Sequence, residues 1–160
     1  MPQRLTESEM RAVFVAFIIV AAIAAYADDL ADLKAASGRY VASMKAALAL
    51  SDDSDCSEMI ARANEYAAAK VAYYRAARRA MPALLEMAKG QETSNGYGDE
   101  LTEIFRGFGE DRDEEVTETV EAKLNGCPSS NQRDQAQLAI EQAKEIAEQF
   151  IKDFGRLEGA

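Results

Sequence analysis

Over four long stretches of the chain, apolar residues recur every three to four positions, the spacing that gathers them on one face of an α-helix. In the first stretch Leu30, Leu33, Val41, Met44 and Leu48 mark that face, with Tyr40 beside them, and the pattern predicts a helix over 28–50. The second carries Met59 and Ile60, Ala63, Tyr66 and Ala67, Tyr73 and Tyr74, Ala77 and Met81, then Leu84, Leu85 and Met87, which predicts a helix over 56–89. Its start is signalled by Asp55 followed by Glu58, a capping-box pattern built on Asp. Gly90 ends it. Pro82 lies inside it, and because proline lacks a backbone donor and clashes with the preceding turn, a kink or a division is expected there.

The third helix is predicted over 99–124. Leu101, Ile104, Phe105 and Phe108 open its apolar face, and Val116, Val120 and Leu124 close it. Gly107 and Gly109 form a weak point between the two halves. The stretch 90–98, with three glycines, Ser94 and Asn95, is the clearest loop. Asn125-Gly126-Cys127-Pro128 then stops the third helix. The fourth, predicted over 131–157, has the cleanest pattern: Ala136, Ala139, Ile140, Ala143, Ile146, Ala147, Phe150, Phe154 and Leu157 against Glu, Gln and Lys. With no strand signal and no repeat, the fold class expected is all-α: an antiparallel up-down-up-down four-helix bundle.

An apolar run precedes these helices. Residues 12–25 are uncharged, follow Arg11, and lead to Ala25-Tyr26-Ala27 and then Asp28-Asp29. A basic flank, a short apolar core and small residues before the break are the marks of a secretory signal peptide. Residues 1–27 are therefore expected to be a signal peptide and 28–160 the bundle. The rival reading keeps 12–27 as an uncleaved membrane anchor, although it is slightly short of the roughly 20 apolar residues that a spanning helix needs. Both readings put the body of the protein across the membrane, and no Asn-x-Ser/Thr sequon is present. The periplasm is the expected location, with the protein soluble after cleavage near Ala27 or tethered to the inner membrane.

The two cysteines test the bundle. Cys56 opens the second helix and Cys127 follows the third, so helices that reverse at each turn bring both to one end. An exported chain keeps such a bond oxidised. A disulfide is expected, closing a loop of about 70 residues and contributing roughly 4 kcal/mol on the chain-entropy argument.

Composition changes the picture mainly by exclusion. Of 160 residues, 18 are basic and 28 acidic, for a net charge of −10. Nucleic acid, which selects for clustered cations, is not an expected partner. Histidine is absent altogether. That removes Ser–His and Cys–His catalysis, histidine-ligated haem and nearly all catalytic zinc sites. In export, size and helix count the chain resembles the small periplasmic haem-carrying four-helix cytochromes. It has no Cys-x-x-Cys-His motif and no axial histidine, so the resemblance is one of architecture and implies no cofactor.

Three groups of side chains invite a chemical reading. Glu110, Asp111, Asp113, Glu114, Glu115, Glu118 and Glu121 crowd the third helix, but not in the register of a calcium loop; a solvated helix face is expected, and no metal. Arg75, Arg78 and Arg79, with Lys70 one turn earlier, suit a carboxylate- or phosphate-bearing ligand or an acidic partner, against the plainer expectation of pairing within the bundle. Tyr66, Tyr73 and Tyr74 with Met59, Met81 and Met87 either line a pocket for something flat and apolar or fill the core between alanines. The candidate ligand- or partner-binding residues are thus Tyr66, Tyr73, Arg75, Arg78 and Arg79, with no catalytic residue. The function expected is a non-enzymatic interaction or scaffold-like module whose partner is another protein. The alternatives are a membrane-anchored accessory subunit and a carrier of a small apolar ligand.

Overall fold

A computed structural model describes the backbone of residues 7–91 and 110–158, and side chains over 26–85 and 113–154. These residues form four helices: α1 (Glu7–Leu48), α2 (Cys56–Gln91), α3 (Glu110–Asn125) and α4 (Asn131–Glu158). Gly90 does not end the second helix, since α2 runs on to Gln91; the rest of the expected loop 90–98, the apolar positions Leu101 to Phe108 and the glycines Gly107 and Gly109 lie outside the described residues. So do the side chains of the apolar run 12–25.

Two other boundaries differ from expectation. The first helix does not begin at Asp28; α1 is continuous from Glu7, since nothing in Tyr26-Ala27-Asp28-Asp29 breaks a helix. Pro82 does not divide α2, which runs through it to Gln91. Pro82 is exposed, on the side of α2 that faces no neighbouring helix. Only the helix's own turn bears the loss of its donor.

Helix ends are satisfied locally. Asp55 caps α2, its Oδ1 accepting from the Glu58 amide and the Ser57 hydroxyl, each at 2.8 Å. Ser130 caps α4 by accepting from the Arg133 amide at 3.2 Å. The amides of Gly126 and Cys127 turn back onto the last carbonyls of α3. Each bond takes up a group that the helix geometry leaves without an internal partner.

The four helices share one core. Leu33, Tyr40 and Met44 of α1, Tyr66, Tyr73, Tyr74 and Ala77 of α2, Val116, Val120 and Leu124 of α3, and Ile140, Ala143 and Phe150 of α4 are all buried in it. α2 packs on each of the other three helices. Arg79, late in α2, reaches Asp29 and Asp32 of α1, so those two helices run in opposite directions. α2 and α4 lie side by side in the same direction: Tyr74 meets Phe150 with ring centres 5.5 Å apart and planes tilted by 56°, and Arg78 pairs with Asp153 at 2.6 Å.

The α1–α2 turn and the α3–α4 turn meet at one end, where Cys56 and Cys127 form a disulfide pair with Cα atoms 5.6 Å apart, 71 positions apart in sequence. Leu50 and Met59 pack around it in a small apolar cluster. Lys123 pairs with Asp52 of the first turn, and Arg133 donates to the Cys127 carbonyl at 3.1 Å.

Candidate functional site

Between α1, α2 and α3 the core holds a knot of polar side chains. Lys70 lies on the apolar face of α2, one turn after Tyr66, and is only 3% exposed. Its Nζ sits 2.7 Å from Oδ2 of Asp113 on α3. The other carboxylate oxygen of Asp113 accepts from two phenols, Tyr66 at 2.6 Å and Tyr40 of α1. Thr117, one turn along α3, donates to the Asp113 carbonyl at 2.8 Å, and its hydroxyl lies 2.7 Å from that of Tyr66. Lys70 also reaches the Tyr66 oxygen at 3.4 Å, with its ammonium 5.6 Å from the centre of that ring. One carboxylate thus ties three helices together.

Burial pulls the Asp113 carboxyl upward, but hydrogen bonds from Lys70, Tyr40 and Tyr66 and the Lys70 charge outweigh it, leaving the carboxyl below the ordinary carboxylate range. The phenols move the other way. Burial, the neighbouring Tyr66 and the Asp113 charge push Tyr40 far above the usual tyrosine value. Burial and the Asp113 charge do the same to Tyr66 and Tyr74, and burial with Tyr74 to Tyr73. At neutral pH the knot is therefore a carboxylate held ionised by donors that hold on to their protons. Among the described residues no buried side-chain nitrogen or oxygen lacks a hydrogen-bond partner. A closed set of this kind positions helices; it offers neither a free base nor a free nucleophile.

The tyrosines continue the knot as a stack of rings. Tyr40 stacks on Tyr73 with centres 5.2 Å apart, Tyr73 meets Tyr74 edge-on at 5.2 Å, and Phe150 carries the stack to Phe154 at 6.0 Å. Tyr66 and Tyr73 are fully buried within it.

The structure does not bring the arginines to this pair of tyrosines. Arg78 is exposed and pairs with Asp153; Arg79 is exposed and pairs with Asp32 at 3.5 Å; Arg75 faces outward. Lys70, expected to belong with them, points into the core instead. Among the acids of α3, Glu114, Glu115 and Glu118 face solvent, and Glu121 pairs with Lys144 of α4 at 2.9 Å. Asp113 departs from the expected solvated face because it precedes Val116 and Val120 by three and seven positions, which places it on the buried side. Among the described residues no group of three or more Cys, Asp or Glu is placed to hold a metal ion, and no helix is long and apolar enough to cross a membrane.

A shallow cleft of about 320 Å³ lies between the first turns of α2 and α4, lined by Ser57, Ile60, Ala61, Asn64, Gln132 and Gln135. It is open, mixed polar and apolar in its lining, and separate from the knot.

The knot had a signal in the sequence. Lys70 falls in the apolar register Ala63, Tyr66, Ala67, Tyr73, Tyr74 and Ala77, and Asp113 falls in the register of Val116 and Val120. Two opposite charges, each inside an apolar stripe, can share a core only by pairing. No protein-family model matches the chain, and no curated protein or solved structure is similar to it.

Proposed function

We propose that the chain is an exported, non-enzymatic helical module that binds another protein, built as an up-down-up-down bundle behind an apolar leader. The observation that carries this is the closed Lys70–Asp113–Tyr40–Tyr66 knot. The ionisable groups of the core are spent on each other, which suits a rigid platform better than a reaction centre. The leader pattern over 12–27 and the Cys56–Cys127 pair support export, since such a bond persists outside the reducing cytosol.

Two measurements test it. The full chain, expressed in a bacterium with a periplasm, is expected to be recovered there with an intact mass starting at Asp28 and no alkylatable thiol. Full-length cytosolic protein with two free thiols overturns export. A photo-crosslinker in place of Leu138, which is 54% exposed on α4, is expected to give one discrete protein adduct in the native host, whereas one in place of buried Ala36 gives none. A small molecule co-purifying in the absence of an adduct overturns the interaction reading in favour of a ligand carrier. A second reading rests on the apolar run 12–27, which falls only slightly short of the roughly 20 residues a spanning helix needs. An uncleaved chain in the membrane fraction would make the protein a tethered accessory subunit.

A further inference from the structure

Among the described residues, α3 is held unequally along its length. Its C-terminal half is tied at four places: the Cys127–Cys56 pair just beyond it, Lys123 to Asp52, Asn125 to Gln137 at 2.8 Å, and Glu121 to Lys144 at 2.9 Å. Its N-terminal half is tied to other helices through Asp113, with Thr117 one turn behind it. One end is bolted covalently; among the described residues the other is held by the Asp113 carboxylate, by Thr117 beside Tyr66 and by the buried Val116.

We propose that α3 is an acid-released lid, hinged at the disulfide end and latched by Asp113, whose opening uncovers Tyr40 and Tyr66. The latch works through the chemistry of its acceptor. As a carboxylate, Asp113 accepts from Tyr40 on α1 and from Tyr66 and Lys70 on α2. Protonated, it loses acceptor capacity and carries a proton of its own. The Lys70 ammonium then sits in the core opposite a neutral group, and an unpaired buried charge is strongly destabilising. Swinging the first turns of α3 outward lets water reach Lys70.

Among the described residues no other group near the latch competes for this role. Tyr40, Tyr66, Tyr73 and Tyr74 face it from α1 and α2 and keep their protons throughout the acid range. Glu114 and Glu115 on α3 itself are exposed. α4 reaches α3 farther along, through Lys144 and Gln137. Asp113 is 22% exposed, so a proton reaches it without prior unfolding.

The test is hydrogen exchange by mass spectrometry on the full, oxidised chain, corrected for the intrinsic pH dependence of amide exchange. As the pH falls through and below the ordinary carboxylate range (about 4), protection over 113–120 is expected to drop by about tenfold or more while 121–125, α2 and α4 stay protected, the pattern of a local opening. Asp113→Asn is expected to show the open pattern at neutral pH, and Glu118→Gln, altering an exposed neighbour, to behave as the parent. Loss of protection in α3 together with α2 and α4 overturns the lid, and so does an acid series that leaves α3 unchanged. If Asp113→Asn does not fold, the acid series of the parent chain decides alone.

Discussion

The two places that hold α3 against the rest of the molecule work by different physics. At one end Cys56 and Cys127 join the two turns covalently; in the chain-entropy account such a link stabilises mainly by restricting the unfolded chain, and it is indifferent to proton uptake. In the middle of the bundle Lys70 and Asp113 join α2 to α3 through charge. That link exists only in the folded state, depends on dehydrated partners staying paired, and responds to pH. The difference teaches where this fold is robust and where it is conditional.

The comparison can be broken from either side. Replacing both cysteines by alanine is expected to cost the most, about 4 kcal/mol in urea unfolding, with a smaller loss if the native bond is strained. Lys70→Met should follow at about 3 kcal/mol, because it leaves the carboxylate of Asp113 among phenols without its cation. Adding Asp113→Leu to that variant is expected to lose less than the sum of the two single changes, and a double-mutant cycle reads the coupling. Simple additivity would show that the pair does not act as one unit. Tyr66→Phe removes one donor from Asp113 and should cost about 1 kcal/mol.

The pH dependence sharpens the contrast. The Asp113 carboxyl is held below its ordinary value, so its contribution is complete above about pH 4 and is lost as pH falls further. The tyrosines are held above theirs, so their contribution is complete below about pH 10 and declines as pH rises beyond it. Unfolding free energy measured across pH is expected to lose much of its acid limb in Asp113→Asn. Both limbs should persist in the cysteine-free chain. The smallest expected effect is that of Asp55→Ala, a slight fall in melting temperature from losing the cap of α2.

The disulfide end was legible because it follows from helix count and turn placement alone. The four apolar stripes set which turns share an end, and the cysteines sit at those turns. The knot was harder to read, although its parts were visible. Proximity in sequence groups Lys70 with Arg75, Arg78 and Arg79, whereas its register places it with Tyr66 and Tyr73. Composition groups Asp113 with six other acids, whereas its spacing to Val116 sets it apart. Charge tallies average over a helix surface; burial is decided position by position. Which helices become neighbours was less legible still. The side-by-side, same-direction packing of α2 and α4 depends on how Tyr74 and Phe150 fit together, and periodicity along one helix carries no information about its partner's shape.

Because α2 touches each of the other described helices, very little of its inward face is free to vary. Ala63, Tyr66, Ala67, Lys70, Tyr73, Tyr74 and Ala77 are all buried in the shared core, and a change at any of them must be matched elsewhere. Over evolutionary time substitutions should therefore collect on the outer sides of the helices and leave the inward stripe of α2 nearly fixed. A distant relative would then be recognised by an Ala–Tyr–Lys–Tyr cadence on one helix and an Asp four residues before a Thr on another, long after overall identity has faded.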